Sequence, residues 1–460
     1  MKAKLYTFMN KLLTRFLRRG SLVAMGMLCL SSGARADLIG DWNSQVLGAI
    51  QAESDLGPEA ARSLAMLHTA IYNAVEGIAG DHHVFTSGTY TGPSSSAAAG
   101  ASLDAAAASA AFTLLQGLYP SLTGDFATLY SAQLSGIADS QSKLDGINFG
   151  TVVANDILNW RSNDGASNAA DPGLYTEVGS VGYWQPPGPG EPAVPGWRNV
   201  TTFGISGLAG YTGSLPATIE TYIQSAQYAA DYNQVKELGS GTSGTRTPDQ
   251  LSAAYFWSGT AGSNGTAGMW NQIAQTVAAS EGLGLQDTAR LYAALNVAMA
   301  DAAIVAWETK YDVDFWSPLL AIVNGEADGN GLTLGDETWT ALLEQLNSPA
   351  YFSEQSALSA AAAEVLASFF GDEVAFSLMV NVDGNDITRF FDSFSEAAEE
   401  AGQSQIWGGV SYGTGHTDAA ASGAAVGNAI LDSHFAPVPE PSGMMLVLLG
   451  AGFFIGRRRR

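Results

Sequence analysis

The chain has 460 residues, of which 46% are apolar, and carries 44 acidic against 20 basic side chains. Seven of the basic residues precede Asp37 and four are the terminal arginines, so residues 37–456 have a net charge of −35. This charge disfavours binding of nucleic acid or anionic lipid and favours a soluble, well-hydrated surface.

Residues 1–36 are predicted to be a secretory signal. A basic stretch from Lys2 to Arg19 precedes an apolar run from Leu22 to Leu30, and a small-x-small site follows at residues 34–36. A membrane anchor is the alternative, but the apolar run is too short to span a bilayer. We expect the mature protein to start at Asp37. Cys29, the one cysteine, then falls in the signal, which excludes disulfides and a thiol nucleophile from the mature chain.

The middle of the chain has apolar residues at helical spacing almost throughout. The clearest helix is predicted to start at Asp287, an N-cap residue, because small and apolar residues then recur at steps of three and four. Further helices are predicted at 60–78, 103–119, 146–160, 219–232, 354–370 and 386–401. No sustained strand alternation is present. The sequence therefore predicts an all-α, multi-helix bundle over residues 37–436.

Two stretches interrupt the helical pattern. Residues 166–200 combine proline, glycine and aromatic residues, as in Gly182-Tyr183-Trp184-Gln185-Pro186-Pro187, and predict a long ordered loop or lid. Residues 239–248 are rich in glycine, serine and threonine and predict a shorter connection. Helical signals resume directly after both, so neither is predicted to link separate domains.

The C-terminal segment, 437–460, resembles the PEP-CTERM sorting tag of Gram-negative bacteria. Pro439-Glu440-Pro441 is followed by a short apolar segment, Met444 to Ile455, and by the arginines at 457–460. The resemblance implies recognition by an exosortase and by the export machinery, with only transient membrane contact. It also implies a location in the cell envelope or extracellular matrix.

Four blocks, in order along the chain, carry a second resemblance. They are a helix-like segment at 61–75, Lys310-Tyr311-Asp312-Val313-Asp314-Phe315-Trp316-Ser317-Pro318, the block at 349–356, and the glycine-containing block at 393–412. Together they resemble the vanadium-dependent haloperoxidase and type 2 phosphatidic acid phosphatase superfamily, over Asp37 to Asp432. The resemblance implies the helical-bundle fold of that superfamily.

Residues in these blocks bind an oxyanion in the family. A lysine, two arginines, a serine and a glycine amide hold the oxygens of vanadate or phosphate, one histidine bonds the central atom, and another transfers protons. This chain keeps Lys310 and Ser353 at the matching positions. The five replaced positions are Ser317 for the first arginine, Glu354 for the glycine, Gln355 for the acid–base histidine, Gln405 for the second arginine and Ser411 for the ligand histidine.

These replacements lower the charge of the site from roughly +3 to about 0. Hydrogen bonds to charged groups contribute roughly 1.5 to 3 kcal/mol each, so losing two arginines alone should weaken anion binding by about two to four decades. The sequence thus predicts a catalytically degenerate protein with a binding or structural role and no cofactor, and vanadate only if the family activity survives. Lys310 and Ser353 could equally be a helix-end lysine and a helix N-cap.

The main alternative is a rearranged enzyme, a vanadate-dependent haloperoxidase or an acid phosphatase. In the sequence Thr414-Gly415-His416, the histidine lies five residues beyond Ser411 and could act as a shifted ligand. The candidate catalytic residues are then Lys310, Ser353 and His416. The other reading makes His416 a loop or helix-capping residue.

A third hypothesis places a small molecule or divalent cation in the old pocket, with oxygen ligands from Asp312, Asp314, Glu354 and Asp418. The segment from Glu326 to Glu337 has a spacing close to that of an EF-hand, but the family has a similar loop there, so a calcium site is disfavoured. The remaining histidines are weak signals: packing is the expected role of His68, and His82 and His83 are only weakly indicative of a metal. The sequence specifies no oligomeric state.

Overall fold

Helices make up most of the structure, a computed structural model that describes residues 38–186, 190–259, 264–344, 346–382 and 384–438. The predicted secretory signal and the sorting tag from Pro439 onward lie outside these ranges. The described residues fall in one compact unit. The predicted all-helical fold is confirmed.

The α-helices of the described ranges follow the chain in order. They are α1 (Leu38–Glu53), α2 (Gly57–Ala79), α3 (Leu103–Leu118), α4 (Thr123–Ser135), α5 (Gln141–Arg161), α6 (Ile219–Tyr222), α7 (Ala226–Leu238), α8 (Pro248–Phe256), α9 (Gly265–Glu281), α10 (Leu285–Val313), α11 (Pro318–Val323), α12 (Glu354–Phe370), α13 (Phe394–Trp407) and α14 (Gly413–Ser433). Short 3₁₀ turns lie at Pro120–Leu122, Ala166–Asn168, Pro172–Leu174, Pro195–Asn199 and Gly325–Asp328.

Helix α10 is the central element of the core. It packs against α2 on one side and against α12 and α14 on the other. Helices α3 and α5 extend the first side, and α13 extends the second. By length and composition α10 could cross a membrane, yet 94% of its most apolar window is buried within the protein, as expected of the core helix of a bundle.

Small residues allow the helices to approach one another closely. A Cβ atom at Gly423 of α14 would overlap the carbonyl oxygen of Ala357 on α12. The same is true of Gly150 on α5 and Ala106 on α3. The pairing of α12 with α14 therefore depends on glycine, and it fixes the two helix starts that bear Ser353 and His416.

The predicted loop at 166–200 is ordered and packs against α10. Trp184 and Trp197 are buried in it, in a small second core with Trp307 and Tyr311 of α10. Farther along the chain, the buried carboxylate of Asp301 on α10 accepts hydrogen bonds from the backbone N–H groups of residues 203–205, at 2.5 to 2.9 Å. The central helix thus holds the chain that follows the loop as well as the loop itself.

Three sequence predictions were wrong in detail. A β-hairpin, β1 (Phe376–Val382) with β2 (Asn385–Phe391), occupies the start of the predicted helix at 386–401, and α13 begins only at Phe394. Its strands are short and half exposed, so the alternation of apolar and polar residues is too brief to predict a strand. The predicted helix at 219–232 is two helices, because Ser225 caps α7. Helix α10 begins at Leu285 rather than after Asp287.

Candidate functional site

The blocks that the sequence assigned to one site meet in the structure. The N–H of Ala350 donates to the carbonyl of Phe315 at 3.0 Å, which joins the segment after α10 to the segment before α12. The N–H of Ser353 donates to the carbonyl of Gly415 at 3.2 Å, which joins the start of α12 to the first turn of α14. These two bonds bring together the segment after α10, the start of α12 and the start of α14, and the side chains there decide what the site can bind.

Lys310 lies buried in the last turn of α10. Its ammonium donates to the carbonyl oxygen of Pro349 at 2.8 Å. Burial lowers the pKa of Lys310 to about 8, and the nearby carboxylate of Glu354 partly offsets this shift. The retained cation is thus held by the protein itself, at the end of a helix, where a lysine also interacts favourably with the helix dipole.

Glu354 is the first residue of α12, and its carboxyl group is near enough to Lys310 for the two charges to interact, although the two are not among the ion pairs within 4.0 Å of the described residues. Burial raises the pKa of its carboxyl group, whereas Lys310 and the indole of Trp307 favour the charged form. Among the contacts of the described residues, Oε1 of Glu354 is buried with no hydrogen-bond partner. A Cβ at Gly57 would lie 2.6 Å from that oxygen, so the carboxylate is packed against the start of α2.

Two of the three serines at family positions act as helix caps. The Oγ of Ser353 accepts from the N–H of Ser356 at 3.3 Å, and the Oγ of Ser317 accepts from the N–H of Leu320 at 3.3 Å. Ser317 is fully buried at the start of α11. The structure therefore matches the helix-cap reading of Ser353, and the helix-end reading of Lys310, that the sequence left open.

The side chains at the three further replaced positions make no hydrogen bond to one another within the described residues. Gln355 accepts from the hydroxyl of Thr266 and donates to the carbonyl of Trp257 at 3.4 Å, toward the α8–α9 connection. Gln405 donates to the hydroxyl of Ser404 at 3.2 Å. The Oγ of Ser411 is buried and makes no hydrogen bond within the described part of the chain.

His416 is buried in the first turn of α14 and belongs to a chain of hydrogen bonds. Its Nδ1 lies 2.9 Å from the Oγ of Ser356, which donates to the Oγ of Ser353 at 2.8 Å. Its Nε2 lies 3.3 Å from the carboxylate of Glu399. A Cβ at Gly402 would overlap the imidazole ring, so the backbone of α13 covers this chain. Ser353 and His416 are thus linked through Ser356, whereas Lys310 bonds elsewhere.

A polar pocket of about 370 Å³ opens beside His416. It lies among α7, α13 and the start of α14. Its lining residues are Gln227, Asp231, Gln234, Gln403, Ile406, Gly413, Thr414, His416, Thr417 and Asp418. Asp231 is buried and accepts hydrogen bonds from Thr414, and Asp418 accepts one from the hydroxyl of Tyr351 at 2.7 Å. Because none of these lining residues is a lysine or an arginine, the pocket is unsuited to an anion.

The carboxylates of the divalent-cation hypothesis do not converge. Asp312 is exposed beside Arg198, and Asp314 accepts from the hydroxyl of Tyr175 at 3.0 Å. Burial raises the pKa of Asp314 to about 7. Asp418 lines the polar pocket, whereas Glu354 interacts with Lys310. Within the described ranges, no group of three or more His, Cys, Asp or Glu side chains could hold a metal ion.

The EF-hand-like segment is held by its own hydrogen bonds. The carboxylate of Asp328 accepts from the N–H of Asn330 at 2.7 Å and from the hydroxyl of Thr333 at 2.6 Å. Asn330 in turn donates to the carbonyl of Ile223 at 2.9 Å, ahead of α7. These side chains therefore stabilise the loop.

The other histidines have structural partners. His68 is fully buried, stacks on Tyr292 with ring centroids 4.7 Å apart, and lies 3.2 Å from the amide oxygen of Asn43. Burial lowers the pKa of His68 to about 3, so it packs as a neutral ring. His82 lies 3.6 Å from the carboxylate of Glu76, and the N–H of His83 donates to the carbonyl of Ala436 at 3.1 Å.

Sequence reasoning missed several residues that shape the site. Ser356 lies in a block that the resemblance did cover, but it matches no binding position of the family. Glu399 lies in a run of acidic residues on α13 that looks like a solvated face. Asp231 lies on α7, far from every family block. For Asp231, no sequence signal indicates proximity to His416.

Comparisons with known proteins agree with the resemblance. Residues 290–438 match the family model described as the VCPO second helical-bundle domain. The vanadium chloroperoxidase of Curvularia inaequalis is 26% identical over 177 residues, which are 31% of this chain and 28% of that protein. The chain thus aligns with less than a third of the length of this curated relative.

Two solved structures share the fold. A bacterial vanadium-dependent iodoperoxidase has a TM-score of 0.74 and 23% identity, covering 88% of this chain and 97% of that one. The holo form of a bacterial vanadium-dependent chloroperoxidase has a TM-score of 0.64 and 16% identity, covering 82% and 93%. The chain therefore has the helical fold of these two solved structures.

Proposed function

We propose that this protein, built on the vanadium haloperoxidase fold, is an exported relative without haloperoxidase activity, which acts as a binding or structural protein of the envelope or extracellular matrix. The observation that carries the proposal is the position of Glu354. Its carboxylate interacts electrostatically with Lys310, the one cation retained at the matching family positions. A multiply charged anion would have to displace or neutralise this group.

The residues present do not fit vanadate. A trianion needs several converging cations and fixed donors, because removing it from water is costly. Here the lysine donates to Pro349, and the hydroxyls of Ser353 and Ser317 cap helices. Ser411 stands where the resemblance requires a histidine. We therefore derive no catalytic step through vanadate.

The proposed location is supported by the sequence alone. The basic and apolar pattern of residues 1–36 and the tripeptide at 439–441 favour export, sorting by an exosortase, and transient membrane contact. The charge of −35 over residues 37–456 suits a hydrated surface and argues against nucleic acid as a partner.

One observation favours a second candidate, a vanadate-dependent haloperoxidase or acid phosphatase with a rearranged site. The chain from Glu399 through His416 and Ser356 to Ser353 has the connectivity of a proton relay. It ends at the start of α12, next to Glu354. The relay is covered by the backbone of α13 at Gly402, however, and it leads to a site where Lys310 interacts with the carboxyl group of Glu354.

A halogenation assay separates the two candidates. With orthovanadate, peroxide and bromide present, we expect no bromination of a phenol-type indicator above the protein-free rate, because the cations and the ligand histidine of the family are replaced. His416→Ala is the matched control and should behave identically. Vanadate-dependent turnover that His416→Ala abolishes would instead establish the rearranged enzyme.

A further inference from the structure

We infer that the polar pocket between α7, α13 and α14 binds a small polyhydroxylated amine in its protonated form, the amino sugars being the matching chemical class. This inference deepens the proposed function and rests on it, because it names the ligand of a protein proposed to bind rather than to catalyse. It depends on three properties of the pocket: its volume, its hydrogen-bonding groups and its charge.

The volume of about 370 Å³ is at the lower end of the range typical of small-molecule sites. It is sufficient for a single sugar-sized ring and too small for a folded domain or a helix. Helix α7, helix α13 and the start of α14 contribute its lining, and α7 and α14 are joined there by the hydrogen bond from Thr414 to Asp231.

The lining presents a mixture of neutral donors and acceptors. Three glutamine amides, from Gln227, Gln234 and Gln403, surround the opening, and the hydroxyls of Thr414 and Thr417 lie on the α14 side. The hydroxyls of Thr414 and Thr417 already donate to Asp231 and to the carbonyl of Gly413, and Gln227 and Gln403 each donate one amide hydrogen to a carboxylate. The second amide hydrogens and the oxygen lone pairs of these side chains are what the hydroxyl groups of a sugar would use. Ile406 supplies an apolar contact for the ring.

The charge of the pocket selects an amine. Asp231 is only 5% exposed, and its partners are the neutral donors of Thr414, Tyr222 and Gln227. Asp418 likewise has a neutral donor, the Tyr351 hydroxyl. Among the ion pairs of the described residues, neither carboxylate has a lysine or arginine partner. Two carboxylates facing one pocket without a countercharge favour a ligand that brings a positive charge.

His416 is a buried lining residue of the pocket. Ser356 contacts one ring nitrogen of His416 and Glu399 contacts the other, so the orientation of the ring is fixed. Glu399 is 62% exposed and adds a third negative charge close to the pocket. An anionic sugar would therefore be repelled, and a neutral sugar would form the hydroxyl contacts but gain nothing from the carboxylates.

Calorimetric titration with three probes of similar size tests the inference. The probes are glucosamine at a pH where its amine is protonated, glucose, and glucuronate. We expect glucosamine to bind at least about tenfold more tightly than glucose, since a charged hydrogen bond is worth roughly that factor, and glucuronate not to bind. Equal binding of glucosamine and glucose, or no binding of glucosamine, would overturn the inference.

Three variants of the full mature chain test whether the ligand binds in this pocket. Asp418→Asn keeps the shape and the bond from Tyr351 but removes one charge, and should weaken glucosamine binding about tenfold. Thr417→Arg adds a bulky cation from an exposed position and should abolish it. Asp312→Asn makes the same charge change at an exposed site outside the pocket and should have no effect. An equal loss in Asp312→Asn and Asp418→Asn would refute the site.

The proposed function can fail independently of this inference. Vanadate binding by the unmodified protein would contradict the closed anion site, whatever the sugar titrations show. Conversely, if the protein binds neither vanadate nor glucosamine, the proposed function stands and only the ligand proposed for the pocket is refuted.

Discussion

Restoring positive charge at the anion position is expected to raise the affinity for vanadate or phosphate by roughly two to four decades. The change combines Glu354→Gly, which removes the carboxylate beside Lys310, with Ser317→Arg and Gln405→Arg, which return the two family cations. Each arginine contributes about 1.5 to 3 kcal/mol through charged hydrogen bonds. Calorimetric titration with orthovanadate and with phosphate measures the gain.

The order of the changes is part of this prediction. Ser317→Arg with Gln405→Arg, leaving Glu354 in place, is the matched control and should gain less, because the carboxylate still neutralises one cation. Ser411→His alone should do little. Ser411→His and Gln355→His, added to the triple variant, should be required for any turnover. A triple variant that keeps its helical circular dichroism yet binds no oxyanion would show that the assignment of these positions is wrong.

Replacing Asp301 by alanine is expected to lower the free energy of unfolding by about 3 to 5 kcal/mol. Asp301 is fully buried, and its carboxylate accepts from three consecutive backbone N–H groups, at residues 203–205. Alanine would leave those donors without a partner, and it would remove the negative charge that favours the protonated form of the buried Arg161. Chemical denaturation followed by circular dichroism gives the change in stability.

Asp301→Asn is the control for this prediction. The amide keeps one acceptor for the loop but loses the charge, so its effect should fall between the parent and alanine. Exposed Asp312→Asn should change stability by less than about 0.5 kcal/mol. If Asp301→Ala also cost less than about 1 kcal/mol, the segment at 203–205 would have to satisfy its N–H groups by rearranging, and its anchoring role would be refuted.

The fold could be predicted from sequence because its strongest signal is local. In α10 the helical spacing of small residues extends over many turns, and burial on nearly every side follows from its composition. The hairpin at 376–391 could not be predicted in the same way. Each strand has only seven residues, with apolar side chains partly exposed, so the pattern did not outweigh the helical pattern that follows from Phe394.

The site could be predicted only in part. The resemblance singled out Lys310, Ser353 and Glu354, and the structure places the first two at a helix end and a helix N-cap, as the sequence had allowed. Sequence could not reveal that Ser356 bridges Ser353 and His416, because that contact depends on how closely α13 approaches at Gly402. Nor could it place Asp231 opposite Thr414, since α7 and α14 are far apart in the sequence.

A calorimetric titration of the unmodified mature protein with orthovanadate tests the closed anion site most directly. The measurement uses the parent chain and the single variant Glu354→Gln, which removes the negative charge without adding a cation. We expect no saturable binding by the parent and at most weak binding by Glu354→Gln, because Lys310 would then be the one uncompensated cation at the site. Saturable binding of vanadate by the parent, lost on Lys310→Met, would contradict the proposal.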